Sequence, residues 1–177
     1  MNYQELFDCI FPGFFENARI AGKPEDQVYA ELAMDLRKEH SREAPFACPE
    51  GIRFGTYHGE TEALRDAVSA VDEKWMQYFD ENTPVFCAFD GNRIAAFCIL
   101  SDWGRHQGLR IGGPGCVGTV PEYRKKGIGL EMVRQATNLL QENSFDLSWI
   151  HYTHLEHWYQ KLGYRTVLKW NSKGIMG

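Results

Sequence analysis

No two cysteines in this chain are spaced as C-x-x-C, and no uncharged apolar run approaches the ~18–20 residues of a membrane span. The longest such run, Ile94 to Ser101, is far shorter. The five cysteines, at 9, 48, 87, 98 and 116, are odd in number, and Cys87, Cys98 and Cys116 sit in apolar stretches. That usage excludes a disulfide framework and reads as buried thiols in a reducing compartment. A basic leader is missing: Glu5 and Asp8 stand in its place, and Pro12-Gly13 interrupts the nearby apolar stretch. The expectation is therefore a cytoplasmic protein with no signal peptide and no membrane partner. Positive charge is not in excess either, with 19 Lys and Arg against 24 Asp and Glu for a net charge of −5. This argues against a nucleic-acid partner. There is no internal repeat and no low-complexity stretch. With 44% apolar and 14% aromatic residues in 177, the chain is not disordered and can build its own core. At about 150 residues per domain, one globular unit is expected.

The first fifty residues read as helical. Pro24 suits a first helical position, Glu25 and Asp26 follow it, and Val28, Leu32 and Leu36 recur at four-residue spacing. Pro45, Pro49 and Gly51 make Glu43 to Gly51 a loop. Residues 1–50 are accordingly set apart as a helical N-terminal extension to a main domain at 51–177.

Ile52 to His58 alternates as a strand, and Thr61 opens a helix running to about Phe79. Pro84 to Phe89 and Arg93 to Leu100 are strands that Asp90-Gly91 joins as an antiparallel hairpin. A glycine-rich passage from Gly104 to Gly115 leads to a strand at Cys116 to Val120, then a helix to about Asn143. Phe145 to His151 is a strand with Phe145, Leu147 and Trp149 on one face. A short helix from His154 to Leu162 ends at Gly163, and Tyr164 to Trp170 is the last strand. The helix between Val120 and Phe145 makes the strands on either side parallel neighbours in a mixed α/β sheet.

The stretch Arg124-Lys125-Lys126-Gly127-Ile128-Gly129 lies between a strand end and a helix start. First-turn N–H groups of a helix have no internal partner and carry the positive end of its dipole. Glycines at 127 and 129 remove Cβ atoms, and three cations lie alongside. Together these are the parts of a phosphate cradle. There is no G-K-S/T, and no acidic residue follows in a dinucleotide-binding context, so neither a P-loop nor a Rossmann site is expected.

Taken with the preceding Val120-Pro121-Glu122-Tyr123, this stretch resembles the acetyl-CoA-binding motif R/Q-x-x-G-x-G/A of the GNAT superfamily of N-acetyltransferases. His157-Trp158-Tyr159-Gln160-Lys161-Leu162-Gly163-Tyr164 is similar to the family's F-Y-x-K-L-G-F segment, in the expected order. The resemblance covers roughly residues 52–170. It implies a mixed α+β fold, with a central mixed sheet flanked by helices. It also implies transfer of acetyl from acetyl-CoA to a primary amine by direct attack in a ternary complex. The cofactor would lie against Val117, Gly118, Thr119 and Val120 and the loop Arg124, Lys125, Lys126, Gly127, Ile128, Gly129 and Leu130. A backbone N–H near Val117 to Thr119 would stabilise the oxyanion. Tyr159 matches the family's general-acid tyrosine.

Two departures stand out. Leu109 to Val120 contains no Asp or Glu to serve as base, and Tyr152-Thr153-His154 replaces the family's frequent asparagine. His151 ranks first as base because an imidazole titrates near neutrality. Asp102, Glu60 and a water chain are the alternatives. Trp103, His106 and Tyr57 are candidates for a substrate pocket. His151, His154 and His157 recur every third residue, but His151 belongs to a strand and no H-E-x-x-H order is present, so no metal is expected. Residues 1–50 read as a cap or as the contact of a homodimer. A non-catalytic acyl-CoA-binding module, or an enzyme using another acyl donor, remains as an alternative on the same fold.

Overall fold

The structure, a computed structural model, describes residues 1–41, 43–59 and 61–176. Its strands are β1 (Tyr29–Asp35), β2 (Ile52–Thr56), β3 (Val85–Asp90), β4 (Arg93–His106), β5 (Leu109–Thr119), β6 (Leu147–Thr153), β7 (Arg165–Asn171) and β8 (Gly174–Ile175). They form one sheet in the order β2-β3-β4-β5-β6-β1-β7-β8. β5 and β6 pair in parallel. β1 is antiparallel to both its neighbours, β6 and β7. No helix among the described residues is long and apolar enough to cross a membrane.

Helices cover both faces because their apolar stripes demand it. α4 (Ile128–Glu142) turns Met132, Val133, Ala136 and Leu140 onto one face of the sheet. On the other face, α3 (Thr61–Val71) buries Leu64, Ala67 and Val68 against Val85, Ile94 and Phe97. α1 (Tyr3–Ile10) buries Leu6 and Phe7 against Ala33, Ile111, Leu147 and Trp149. Asn2 caps α1 by accepting the Glu5 N–H at 3.3 Å. Eight residues are too few for a helix stable alone, so docking decides, and each fully buried Leu or Phe contributes about 1.5–3 kcal/mol. The short α2 (Ala18–Ala21) and α5 (Glu156–Gln160) complete the set.

The helix expected over Pro24 to Leu36 is instead the strand β1. Leu32 and Leu36 lie four apart, a spacing that is also an even number and so fits a strand equally well. Ala30 and Met34 fill the same face, packed under α4, while Tyr29, Glu31 and Ala33 point to the face that α1 covers. A strand buried on both faces loses its alternation. The glycine-rich passage also differs from expectation. β4 and β5 run as one long hairpin through it, pairing from Ala96↔Thr119 to His106↔Leu109. Phe145 leaves the face it was expected to share: it joins the α4 cluster, whereas Leu147 and Trp149 join α1.

The parallel ladder of β5 and β6 holds only Ile111↔Leu147 and Gly112↔Ser148, beyond which the two strands part. Gly113 sits where they are closest; a Cβ there would overlap the Trp149 carbonyl oxygen. Gly113→Ala is expected to lower stability by about 1–3 kcal/mol by overpacking against backbone, measured as a lower urea midpoint. An unchanged midpoint would mean that the junction has room.

Candidate active site

The parting of β5 from β6 opens two cavities, and successive residues of β5 face them in turn. Val117, Gly118 and Thr119 line a groove of about 580 Å³, and Pro114, Gly115 and Cys116 line a chamber of about 680 Å³. The change of side coincides with an irregularity in pairing to β4 between Ile99↔Gly115 and Phe97↔Gly118, where Cys116 adopts a positive φ of 45°.

The groove collects the loop residues singled out in the sequence. Arg124 to Leu130 line it, with Trp158, Tyr159 and Lys161 from the α5 region. Val120 does not; it packs between the two main core clusters and donates its N–H to Ala95 O at 3.0 Å. Gly127 caps α4 at φ 78°, and a Cβ there would overlap the Ala47 carbonyl oxygen. Its lack of a side chain thus serves the backbone turn and the neighbouring segment, not the groove. Gly129 does serve the groove, since its Cβ would stand 2.6 Å from Thr119 Oγ1 and 3.5 Å from the Trp158 ring. Arg124 donates from Nε to Thr119 O at 3.0 Å, tying the loop to the end of β5. The first-turn amides of α4 have no acceptor within the helix and carry its positive end, beside Lys125 and Lys126.

Glu131 fastens this cradle. It is buried, ion-paired to Arg134 at 2.7 Å, and accepts the Phe46 N–H at 2.9 Å, one residue before Ala47. Burial raises its pKa, but hydrogen bonds from Arg134, Gln135 and the Phe46 N–H outweigh that and hold it below 4.5. With the folded-state value lowered, its stabilisation is present above the unfolded value and lost as pH falls through the folded one. Glu131→Gln should remove part of the acid dependence of the melting temperature below about pH 5, read from melts across pH.

Tyr159 is buried at the groove, and its hydroxyl has no hydrogen-bond partner among the described residues. Burial, reinforced by Cys98 and Tyr164, pushes its pKa well up, so the phenol keeps its proton. His151 is not beside it. It lines the other chamber, with Phe14, Tyr29, Trp75, Trp103 and Tyr152 among the aromatic walls. Its ring stacks on Phe11 at 3.9 Å between centroids and meets Phe14 edge-on at 5.2 Å.

The residue that the sequence did not disclose is Glu31 of β1. It is fully buried, and its carboxylate accepts Trp149 Nε1–H at 2.7 Å, Trp170 Nε1–H at 2.7 Å and the Tyr152 N–H at 3.1 Å. His151 Nδ1 lies 2.9 Å from Glu31 Oε2. The only sequence signal was a glutamate inside an apolar run, Tyr29-Ala30-Glu31-Leu32-Ala33-Met34, which becomes meaningful once that run is a strand.

The other candidates disperse. Asp102 is ion-paired to Arg110 at 2.8 Å; burial raises its pKa, but Arg110 and the Gly104 N–H overcome this and lower it. Glu60 lies outside the described residues. Of the three pocket aromatics, Trp103 lines the chamber, His106 binds the Trp103 carbonyl at 2.8 Å, and Tyr57 belongs to the α3 cluster. His154 lies 3.3 Å from Val28 O and His157 turns to Gln160, so the three histidines do not converge. No group of three or more His, Cys, Asp or Glu among the described residues is arranged to hold a metal.

Comparison with solved structures agrees with this architecture. A glucosamine N-acetyltransferase region, GCN5-related, of a fungal multidomain GH3 β-N-acetylglucosaminidase superposes with a TM-score of 0.68 at 22% identity, over 84% of this chain and 21% of that one. A GCN5-related N-acetyltransferase from Kribbella flavida gives 0.58 at 18% identity, over 88% and 60%. Another from Sphaerobacter thermophilus gives 0.59 at 15%, over 80% and 49%. The chain thus spans less than two thirds of the length of each of these structures. No curated protein matches it. The fold is that of the GCN5-related N-acetyltransferases, a mixed sheet flanked by helices. Residues 81–166 match the acetyltransferase (GNAT) domain model.

Proposed function

We propose that the protein is an N-acetyltransferase that moves an acetyl group from acetyl-CoA to a primary amine of a small molecule or peptide by direct attack, both substrates being bound together. The observation that carries this reading is the division of one strand between two cavities. Val117 to Thr119 face the cradle, and Pro114 to Cys116 face the chamber that holds His151. A thioester laid along the first would present its acyl carbon toward an amine in the second.

The residues fit the donor. Acetyl-CoA would supply the acetyl group, activated as a thioester. The first-turn amides of α4, with Lys125 and Lys126, would hold its pyrophosphate. Gly118 and Thr119 pair with β4 on one side only, so their other edge is open to the amides of the pantetheine arm. A backbone N–H of this stretch would face the developing oxyanion. Tyr159, held protonated, would give its proton to the departing thiolate, and His151 would take one from the attacking amine. Cys116 is the thiol at the junction; burial, helped by Asp72, pushes it up to about 11, so it stays a thiol at neutral pH. That favours direct attack over relay through an acyl-cysteine. The aromatic walls of the chamber suit a sugar or an aromatic amine, and the glucosamine N-acetyltransferase region among the similar structures makes amino sugars a first acceptor class to try. Five free cysteines accord with a cytoplasmic setting.

Acetyl-CoA at about 100 times its dissociation constant should stabilise the protein by about 2.7 kcal/mol, seen as a rise in Tm. No shift would remove acetyl-CoA as donor. CoA release with a panel of amines, including glucosamine, then separates an enzyme from a non-catalytic acyl-CoA-binding module, which would melt higher and release nothing. Tyr159→Phe is expected to lower kcat by about 100-fold with little change in acetyl-CoA affinity. A wild-type kcat in that variant would take the tyrosine out of the mechanism.

A further inference from the structure

We propose that Glu31 is the positioning residue for His151, fixing the imidazole as the Nδ1–H tautomer so that Nε2 is the basic atom presented to the acceptor chamber. This rests on the reading of the chamber as the amine side of an acetyltransferase.

The argument is one of donors and acceptors. An indole Nε1–H and a backbone N–H can only donate. Three such donors, from Trp149, Trp170 and Tyr152, converge on the two oxygens of Glu31, which is fully buried. A proton on either carboxylate oxygen would need an acceptor, and only one contact offers one, His151 Nδ1 at 2.9 Å. With three donors already on it the carboxylate is the accepting side, so that bridge is Nδ1–H donating to the carboxylate. Nε2 is then the lone-pair nitrogen, and it has no partner among the described residues, although His151 lines the chamber. Phe11 stacked on the ring and Phe14 at its edge leave it little freedom to turn over.

Protons balance across the step. The acceptor's N–H proton passes to Nε2, leaving an imidazolium whose charge the Glu31 carboxylate offsets through Nδ1–H, and the acquired proton later leaves from Nε2 to solvent. Glu31 does not itself change protonation. Glu31, Phe11 and Phe14 all precede residues 81–166, so the front of the chain supplies the setting of the base. The acidic residue missing from β5 is answered by a glutamate on β1 acting through a histidine on β6.

Two-bond ¹H–¹⁵N correlation of the imidazoles reads this without any assay, with the His151 signals assigned by their loss in His151→Ala. The wild-type protein is expected to show the Nδ1–H pattern for neutral His151. In Glu31→Gln, the new amide N–H₂ can donate to Nδ1, which moves the ring proton to Nε2. That variant should show the reversed pattern. Its kcat should fall by about 100-fold or more, approaching that of His151→Ala, with the KM for acetyl-CoA unchanged. An Nε2–H pattern in the wild type overturns the proposal even if the variant does not fold. So does a folded Glu31→Gln with wild-type kcat while His151→Ala is slow, and in that case the acetyltransferase reading stands. Wild-type kcat in His151→Ala, or no acetyl transfer to any amine, would instead overturn both.

Discussion

Two strands that run together for two residue pairs and then separate govern the rest of this molecule. β5 and β6 meet at Ile111↔Leu147 and Gly112↔Ser148, held close by a glycine that leaves no space for a side chain against Trp149. Past that point each strand keeps its other neighbour, β4 for β5 and β1 for β6, and the backbone groups facing the gap are left without a ladder. An unpaired strand edge inside a domain is costly unless something completes it. Here the gap is bordered by the positive end of α4 on one side and by the chamber that His151 lines on the other.

The positions of the two candidate side chains, Tyr159 and His151, follow from that geometry. Tyr159 arrives from α5, beneath the groove, in surroundings dry enough to hold its proton. His151 arrives from β6, the strand that has turned away, and so faces the opposite cavity. Tyr159 and His151 therefore line different cavities, one bordered by Val117 to Thr119 and the other by Pro114 to Cys116. The charged network below His151 is buried and satisfied: the Glu31 carboxylate meets Trp149 Nε1–H, Trp170 Nε1–H, the Tyr152 N–H and His151 Nδ1. Glu31 is the element of that network whose removal would leave several donors unpaired at once.

Much of this was legible in the residues. The loop from Arg124 to Gly129 stands out as a candidate because the features in question are local: backbone amides at a helix start, absent Cβ atoms, nearby cations. The helices α3 and α4 and the Asp90-Gly91 hairpin were equally local. β1 was not, since a four-residue spacing of Leu32 and Leu36 satisfies helix and strand alike, and burial on both faces erased the alternation that distinguishes them. The strand expected at Cys116 to Val120 starts earlier, at Leu109, because composition shows the lack of side chains at Gly112 and Gly113 but not the neighbouring backbone of Ser101 and Trp149 that demands it.

From the sequence alone came the order of the later elements, the parallel pair around α4, and the loop and tyrosine as candidates, each resting on contacts within some thirty residues or on a motif whose chemistry is local. Only the tertiary structure decided which cavity each candidate side chain faces, and that His151 stands against a buried carboxylate. Glu31 meets Trp149, His151 and Trp170 across separations of 118 to 139 residues. Their meeting depends on β1 being inserted between β6 and β7, which is a matter of sheet order, and no local pattern in the chain encodes it.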